Sequence, residues 1–503
     1  MKRTSHLLCL ALAVCLSLPG FAQSLGVFEK SGDLGPATRP GTAAYSPKSE
    51  TYELSSTGSG PEDSHFAWKR MRGDFILTAR AEFVGRGVGE RQRMGWMVRS
   101  SLEPGAPFAS ATVQGDGAAA LQFRRQAGSA PEAKASKATG ADVIQLERKG
   151  NVFALWVARF GEPFTLDFVQ NIPLGEEVYA GLFVGGQTGS DPAKARFRDV
   201  RLTVPAPAGL VPYKQYLASN LEILDVKTGG REVVYTDPGS IQAPNWTPDG
   251  KTLLYNREGL IYTFDLKTRK PKVLDTGNVD KNNNDHVLSF DGSLLGLSST
   301  GPDPNLGSLI YTVPITGGQP KLITPVGPSY LHGWSPDGRF LVFTGSRNNE
   351  FDIYRVTANG GPELRLTDAK GLDDGPEYSP DGQYIYFNSN RTGNMLIYRM
   401  KADGTEQTAL TDGPFHDWFP HVSPDGKWLI FLSFLREEVK SGDHPFYKHV
   451  YLRMMPVSGG KPKVVAYLYG GQGTLNTPSW SPDSKHVAFV SNTAEGMLVV
   501  TQK

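Results

Sequence analysis

Cysteine is almost missing from this chain: among 503 residues only Cys9 and Cys15 carry a thiol. Both fall in the opening "MKRTSHLLCLALAVCLSLPGFAQ", which has a short basic start, an apolar run, and small residues at Gly20 and Ala22. That pattern reads as a secretory leader cut near Ala22. The mature chain then has no thiol, so disulfides are excluded and packing must hold it together. An excess of charge is missing too. The formal net charge is +1, and removing Lys2 and Arg3 with the leader leaves acidic and basic residues nearly equal. No basic surplus remains to hold a nucleic-acid backbone. Beyond the leader no apolar run reaches spanning length, and the leader's own run is too short for an anchor. Val14 stands before Cys15 where a lipid-anchored cysteine would want a small residue. The expectation is a periplasmic or secreted protein with no membrane span.

What the chain has in plenty is turn chemistry, with 57 glycines and 36 prolines. This exceeds the combined ~12 % of an average protein and favours an all-β fold. Much of it recurs in "NWTPDGKTLLY", "VLSFDGSLLGL", "GWSPDGRFLVF", "EYSPDGQYIYF", "HVSPDGKWLIF" and "SWSPDSKHVAF". The turn aspartates are Asp249, Asp291, Asp337, Asp381, Asp425 and Asp483. Proline sets φ, aspartate caps its own backbone and glycine accepts positive φ. The alternating residues that follow make a strand. Each unit then carries "LIYTF", "DIYRV" or a similar strand, a Gly-Gly or Asp-Gly turn, and a short outer strand. Units of ~40–45 residues with four strands stack radially as propeller blades, so six turns predict six blades. "LEILDVKTGGREVVYTD" (221–237) has the outer-strand pattern without its own turn, and it is expected to pair with the last blade and close the ring. "GMLVVTQK" at the C-terminus could supply a strand there instead.

Residues 23–205 lack the repeat and alternate at strand period in "FILTARAEFVG", "MGWMVRSSL", "ALQFRRQAG", "VYAGLFVGG" and "ARFRDVRLTV". They predict a jelly-roll-like β-sandwich. "QAGSAPEAKASKATGAD" (126–142) reads as a mobile loop. "VPAPAGLVPY" (204–213) is proline-rich and reads as a linker. The fold class is therefore all-β, with a leader over 1–22, a sandwich over 23–205, a linker over 206–214 and a propeller over 215–503.

The "WSPDGKxLxF…DIY" units resemble the propeller of the TolB family over about 215–503. "LERKGN", "IPLGEEVYAGLFV" and "ARFRDVRL" make the first part resemble concanavalin-A-like (laminin-G-like) sandwiches, which implies sugar or surface binding in many relatives. The propeller resemblance implies a fold more than a function, because the repeat serves scaffolds, peptidase propellers and some polysaccharide lyases.

Function is sought in the stretches that do not repeat. The loop before each inner strand is expected on one face around the central channel. These loops read "DKNNNDH", "SYLH", "GLDDGPE", "FHDWFPH" and "GGQGTLN". His286 and His332 share one repeat position, and Glu377 and His421 share the next. The insertion "FLREEVKSGDHPFYK" adds His444. The candidate ligand-binding set is His286, His332, Asp374, Glu377, His416, Trp418, His421, His444 and Gln472. Imidazole, carboxylate, amide and aromatic groups on one concavity suit a glycan or peptide ligand, or a metal. Two plainer readings stay open: a histidine at a strand start can simply bond backbone, and Trp418 can be core. Arg347 and Arg391 read as partners inside the repeat. "DKNNNDH" partly mimics a calcium loop through Asp280, Asn282 and Asn284, but the glycine and the closing glutamate of such loops are replaced by Asp285 and Asp291.

Two function classes follow. The first is an exported ligand-binding or scaffold protein that recognises a glycan or an envelope protein or peptide at the channel mouth. The second is a metal-assisted polysaccharide lyase or glycoside hydrolase at the same rim, with His332, His416 or His421 as general base and Asp373 or Glu377 as partner. That class resembles oligogalacturonate lyases, whose channel holds a divalent metal through histidines and a glutamine; this chain offers histidines and Gln472 on the expected face, without that family's closely spaced glutamine–histidine cluster, and calcium or manganese would be the metal. No Gly-x-Ser-x-Gly elbow or His-Glu-x-x-His spacing occurs, which removes the peptidase and common zinc-hydrolase readings.

Overall fold

In the computed structural model, residues 24–60, 62–85, 88–169, 171–186, 191–211 and 214–495 are described. The leader and the C-terminal "GMLVVTQK" lie outside them. Among the described residues the chain is all-β, and only two single-turn 3-10 segments, Pro304–Leu306 and Gln472–Thr474, interrupt the strands. Among the described residues no helix is long and apolar enough to cross a membrane.

From Ala218 onward the strands form six radial sheets. Blades 1 to 5 each have four antiparallel strands in sequence order, beginning at Gln242, Asn282, Ser329, Asp373 and Phe415. The sixth joins both ends of the segment. His486–Thr493 pairs with Ala218–Asp225, which pairs with Arg231–Asp237, and Trp480 bridges to Val487 on the inner side. The strand without a turn of its own therefore closes the ring, as the sequence predicts, in a sheet of three strands with Arg231–Asp237 at its outer edge.

The repeated turns are built alike. Ser335 Oγ donates to Asp337 Oδ1 at 2.6 Å, the Arg339 amide donates to the same oxygen at 3.0 Å, and Gly338 takes φ +69°. The serine and the amide hold the Asp337 carboxyl down at about 2. Ser379–Asp381 and Ser423–Asp425 repeat the contact. These aspartates are turn residues.

Each inner strand of blades 1 to 5 also carries a register shift where it reaches the channel mouth. In three blades the shift holds a proline, Pro244, Pro376 or Pro420, after a residue at positive φ, namely Ala243 (+56°), Gly375 (+61°) or Phe419 (+52°). A proline cannot donate to the ladder, and a bulge leaves one residue unpaired, so the two go together. In blades 2 and 3 the residue at the proline's place is His286 or His332. The bulges re-aim the side chains of the strand ends, which matters for the site.

Before the propeller lie two seven-stranded antiparallel sheets that share a core of Leu77, Trp96, Leu121, Leu146, Phe153, Leu182 and Phe197. The segment expected to be a mobile loop contains a strand, Glu132–Thr139, paired to Ala118–Arg124. Its Ala, Ser and Lys side chains bury little, and as an edge strand it needs only main-chain pairing. The second sheet faces the propeller. Val143 and Ala158, with Phe160 and Phe164, pack against Phe415, Tyr451, Val464 and Tyr467 of blade 5. Tyr467 Oη donates to the Glu162 carbonyl at 2.6 Å. Arg201 of the second sheet reaches Glu222 in the closing strand at 2.9 Å, and Arg231 meets the same carboxylate at 2.7 Å. The outer face of the first sheet is turned away from the propeller.

Candidate functional site

At one mouth of the channel lies a hollow of about 680 Å³, walled by residues from blades 2 to 6. Its floor is a compact polar cluster. Asp374 stands at the end of the blade 4 inner strand and accepts from Thr344 Oγ1 and from the Gly375 amide, both at 2.8 Å. His444, on the blade 5 insertion, donates from Nε2 to its second oxygen at 3.0 Å. His332 Nε2 lies 3.5 Å from Asp374 and 3.8 Å from Asp285. Asn476 of blade 6 donates to Asp285. Thus one carboxylate–imidazole network spans blades 2, 3, 4, 5 and 6.

Its electrostatics follow from burial set against pairing. Burial alone would push the Asp374 carboxyl up, but the hydrogen bonds and charges of His332 and His444 outweigh it and hold Asp374 well below the usual range. Burial alone would push both imidazoles down; their bonds to Asp374, with the charge of Asp285, raise them instead. Asp285 has less help, so burial raises it. The site therefore presents two imidazoles that favour the protonated form beside a firmly ionised carboxylate. His444 is the exposed member, with 33 % of its side chain open.

Around this floor the wall is mixed. Tyr330, Phe351 and Leu372 are half-buried and form an apolar ledge, and the Tyr330 and Phe351 rings are 6.5 Å apart. Phe419 stacks on His332 at 5.8 Å. Two buried amide atoms on the wall, Asn284 Nδ2 and Asn476 Oδ1, have no hydrogen-bond partner.

The structure gathers some of the sequence-predicted residues here and disperses others. His332, Asp374, His444, Gln472 and Asn284 line the hollow. His286 does not: it is fully buried against blade 1, and burial pushes its pKa down to about 4 despite backbone contacts to Ala243 and Leu254. His421 and Glu377 are side by side in adjacent blades, at 2.5 Å, but lie between the blades. Glu377 also accepts from the Val422 amide, and His421 points its other nitrogen to the Leu475 carbonyl at 3.3 Å. His416 accepts from the Met395 amide of blade 4 at 3.2 Å. Asp373 is buried in an ion pair with Arg391 at 2.9 Å, and Arg347 pairs with Glu363 at 2.9 Å. Trp418 is fully buried in the blade 5 core and backs the site, its ring 4.9 Å from that of His444.

Asp280, Asn282 and Asn284 do not converge as a calcium loop. Asn282–Leu288 is the inner strand of blade 2, Asn282 donates to the Gly259 and Val279 carbonyls, and Asp280 is exposed. Among the described residues no group of three or more His, Cys, Asp or Glu is arranged to hold a metal ion.

Sequence reading missed Asp285, Tyr330 and Asn476 as individual residues, although each lies in a non-repeating stretch. Thr344 lies on the second strand of blade 3 and Phe351 on the third, and neither carried a signal.

Three comparisons bear on this geometry. A family model described as the TolB beta propeller domain matches residues 327–444. An uncharacterized protein of Agrobacterium fabrum is 44 % identical over 276 residues, covering 54 % of this chain and 92 % of that protein. A solved structure, a provisionally assigned TolB from Agrobacterium tumefaciens, is 44 % identical with a TM-score of 0.53, covering 55 % of this chain and 98 % of its own.

Proposed function

The chain belongs to the TolB β-propeller family, and from that premise we propose that it is an exported binding protein whose channel mouth takes an extended polypeptide segment of an envelope or extracellular partner. The observation that carries this is the pair of unpaired amide atoms, Asn284 Nδ2 and Asn476 Oδ1, in one hollow. A buried polar atom left without a partner costs about 1–3 kcal/mol. A peptide unit supplies both missing groups, one carbonyl and one N–H. The ledge of Tyr330, Phe351 and Leu372 would receive an apolar side chain, and the His332 and His444 imidazoles an acidic group or chain terminus. At about 680 Å³ the hollow is in the ~300–1,000 Å³ range of ligand sites.

The catalytic alternative, a metal-assisted lyase or glycoside hydrolase, draws on His332, Asp373, Glu377, His416 and His421. Only His332 lines the hollow. The other four are engaged in contacts within or between blades, so no observation favours that reading.

The test pans a random peptide library on the mature chain and measures the selected peptides by calorimetry. A glycan array and a turnover screen, each with and without divalent metal, run in parallel. Selected peptides should share a motif and bind His444→Ala and Tyr330→Ala about tenfold more weakly. Failure to select any peptide, or equal binding by both variants while a glycan binds or turns over, would overturn the proposal.

A further inference from the structure

The two sheets of the sandwich have four edge strands, and three of them carry charge. Lys30–Leu34 holds Lys30 and Asp33, and Glu132–Thr139 holds Glu132, Lys134 and Lys137. Thr165–Val169 holds Asp167 and has the Lys134 ammonium over its Phe168 ring. Charge on an edge strand turns other strands away. The fourth, Thr42–Ser46 at the end of the second sheet, reads Thr-Ala-Ala-Tyr-Ser, with neither a charge nor a proline. It pairs on one side with Thr51–Ser56. Among the described residues no strand adds to its other side.

This bare edge runs along a cleft of about 900 Å³ between the second sheet and blade 6. Side chains alternate across a strand. Tyr45 points to the core side, where its ring meets that of Tyr52 at 4.6 Å, so Ala44 and Ser46 point to the other. All three line the cleft, which one hollow achieves only by following the edge itself. Opposite stand Arg231 and Glu232, at the start of the outer strand of blade 6. The sandwich caps the main chain of that strand: Asp199 accepts from the Arg231 amide at 3.0 Å, and Glu50 from the Val233 amide at 3.2 Å. Glu50 sits in the turn after Thr42–Ser46 and also meets Arg201 at 3.1 Å, so the hairpin is pinned while its own edge stays open. The charges along the walls are already paired, Arg196 with Glu53 and Glu82, Arg198 with Glu82, and Glu232 with Arg269. What the cleft leaves unmet is main chain.

We propose that this cleft docks an extended segment of a partner protein, which adds to the second sheet as an eighth strand along Thr42–Ser46. A row of main-chain donors and acceptors is matched by another main chain, which is how strand addition gains its affinity. Alternate side chains of the added strand fall beside Ala43 and Tyr45, which are half-buried, and beside Thr42, Ala44 and Ser46, which are exposed. The segment therefore alternates apolar with small polar residues. A second copy of this chain would bring a whole sheet to the edge, but blade 6 stands across the cleft and leaves room for a single strand. Because the hairpin is pinned, its edge is already in the pairing conformation and little ordering is needed on its side.

The test titrates the full mature chain with octapeptides that alternate Val, Ile or Phe with Ser or Thr, and with the same residues in scrambled order. Alternating peptides should bind one to one, and scrambled ones about tenfold more weakly. N-methylation of every second residue should abolish binding in one register, where the N–H groups donate to the edge, and leave it within about twofold in the other. Tyr45→Ala should weaken binding about tenfold. Because Tyr45 also packs on Tyr52, Ala44→Trp serves as the second variant: Ala44 is exposed, so the fold tolerates the change, and the indole fills the gap toward blade 6. His444→Ala, at the channel mouth, should leave this binding within about twofold, because the two sites share no residue. Absence of binding, undiminished binding in Ala44→Trp, unchanged affinity after N-methylation in both registers, loss of binding in His444→Ala, or a dimer of the chain that Ala44→Trp dissolves would each overturn the proposal.

Discussion

Replacing Glu222 with Gln tests how the ring is closed and how the sandwich is held to it. Glu222 is fully buried in the closing strand. It accepts from Arg231 at 2.7 and 3.1 Å, from Arg201 of the sandwich at 2.9 and 3.3 Å, and from Ser491 of the C-terminal strand at 2.5 Å. One carboxylate thus ties the first strand of the propeller, its last strand and the other sheet pair together. Burial by itself would push this carboxyl up, but Arg231 and Arg201 outweigh burial and hold it at about 2, against an ordinary 4.5. That gap is worth about 3 kcal/mol. Breaking one side of a buried ion pair ordinarily costs a similar 3–5 kcal/mol. Glu222→Gln should therefore lose about 3 kcal/mol in urea unfolding at pH 7, with Tm lower by roughly 5–10 °C. The sign with pH follows. A carboxylate held low in the folded state stabilises fully above its unfolded pKa of about 4.5 and loses that contribution as pH falls toward 2. Wild type and variant should differ at pH 7 and converge by pH 2. A difference under about 1 kcal/mol at pH 7, or one that persists unchanged to pH 2, would refute the reasoning.

Other outcomes follow from the same geometry. His421→Ala should cost about 1–3 kcal/mol of stability, because it leaves Glu377 buried without its partner, and should leave peptide affinity at the channel within about twofold; a larger affinity loss at unchanged stability would place His421 in the site. His444→Ala should do the reverse, weakening peptide binding with a Tm change within about 2 °C, since a partly exposed insertion residue carries little packing. Affinity for an acidic peptide should hold as pH rises past the ordinary imidazole value of about 6.5 and fall only at higher pH, because His332 and His444 are raised and lose their charge only as pH rises through those raised values; affinity that climbs with pH would contradict this, and calorimetry across buffers decides. His449 sits between Glu147 of the sandwich, at 3.3 Å, and Glu438 of the propeller, at 2.6 Å. Burial alone would lower it, but the two carboxylates raise it to about 10. Its contribution is complete below about 6.5 and lost as pH rises through about 10, so limited proteolysis between the sheet pairs and the propeller should accelerate in His449→Phe and, for wild type, only near pH 10.

The repeat was legible in the chain because a Pro-Asp-Gly turn and the strand after it are local: the aspartate bonds its own neighbours, and six copies dictate six sheets. The closing strand was legible by elimination, since 221–237 has a strand pattern and no turn of its own. The site was legible only as a set of unlike stretches. Counting back from each turn put His286 and His332 at one position, yet one ring packs between blades and the other opens on the channel. The difference lies in the bulges. In blade 3 the register shifts between Leu331 and Gly333, so His332 is the residue left out of the ladder. In blade 2 the shift is complete before His286, which returns to the ladder opposite Leu297. A one-residue change of register reverses the direction of a side chain, and no composition or spacing rule records it. Glu377 and His421 met as neighbours, as their shared position required, but on the wrong side of such bulges to reach the hollow. The partner of His444 is Asp374, 70 residues away. Only the closed ring brings those two together, because the insertion of one blade must fold over the inner strand of the blade before it.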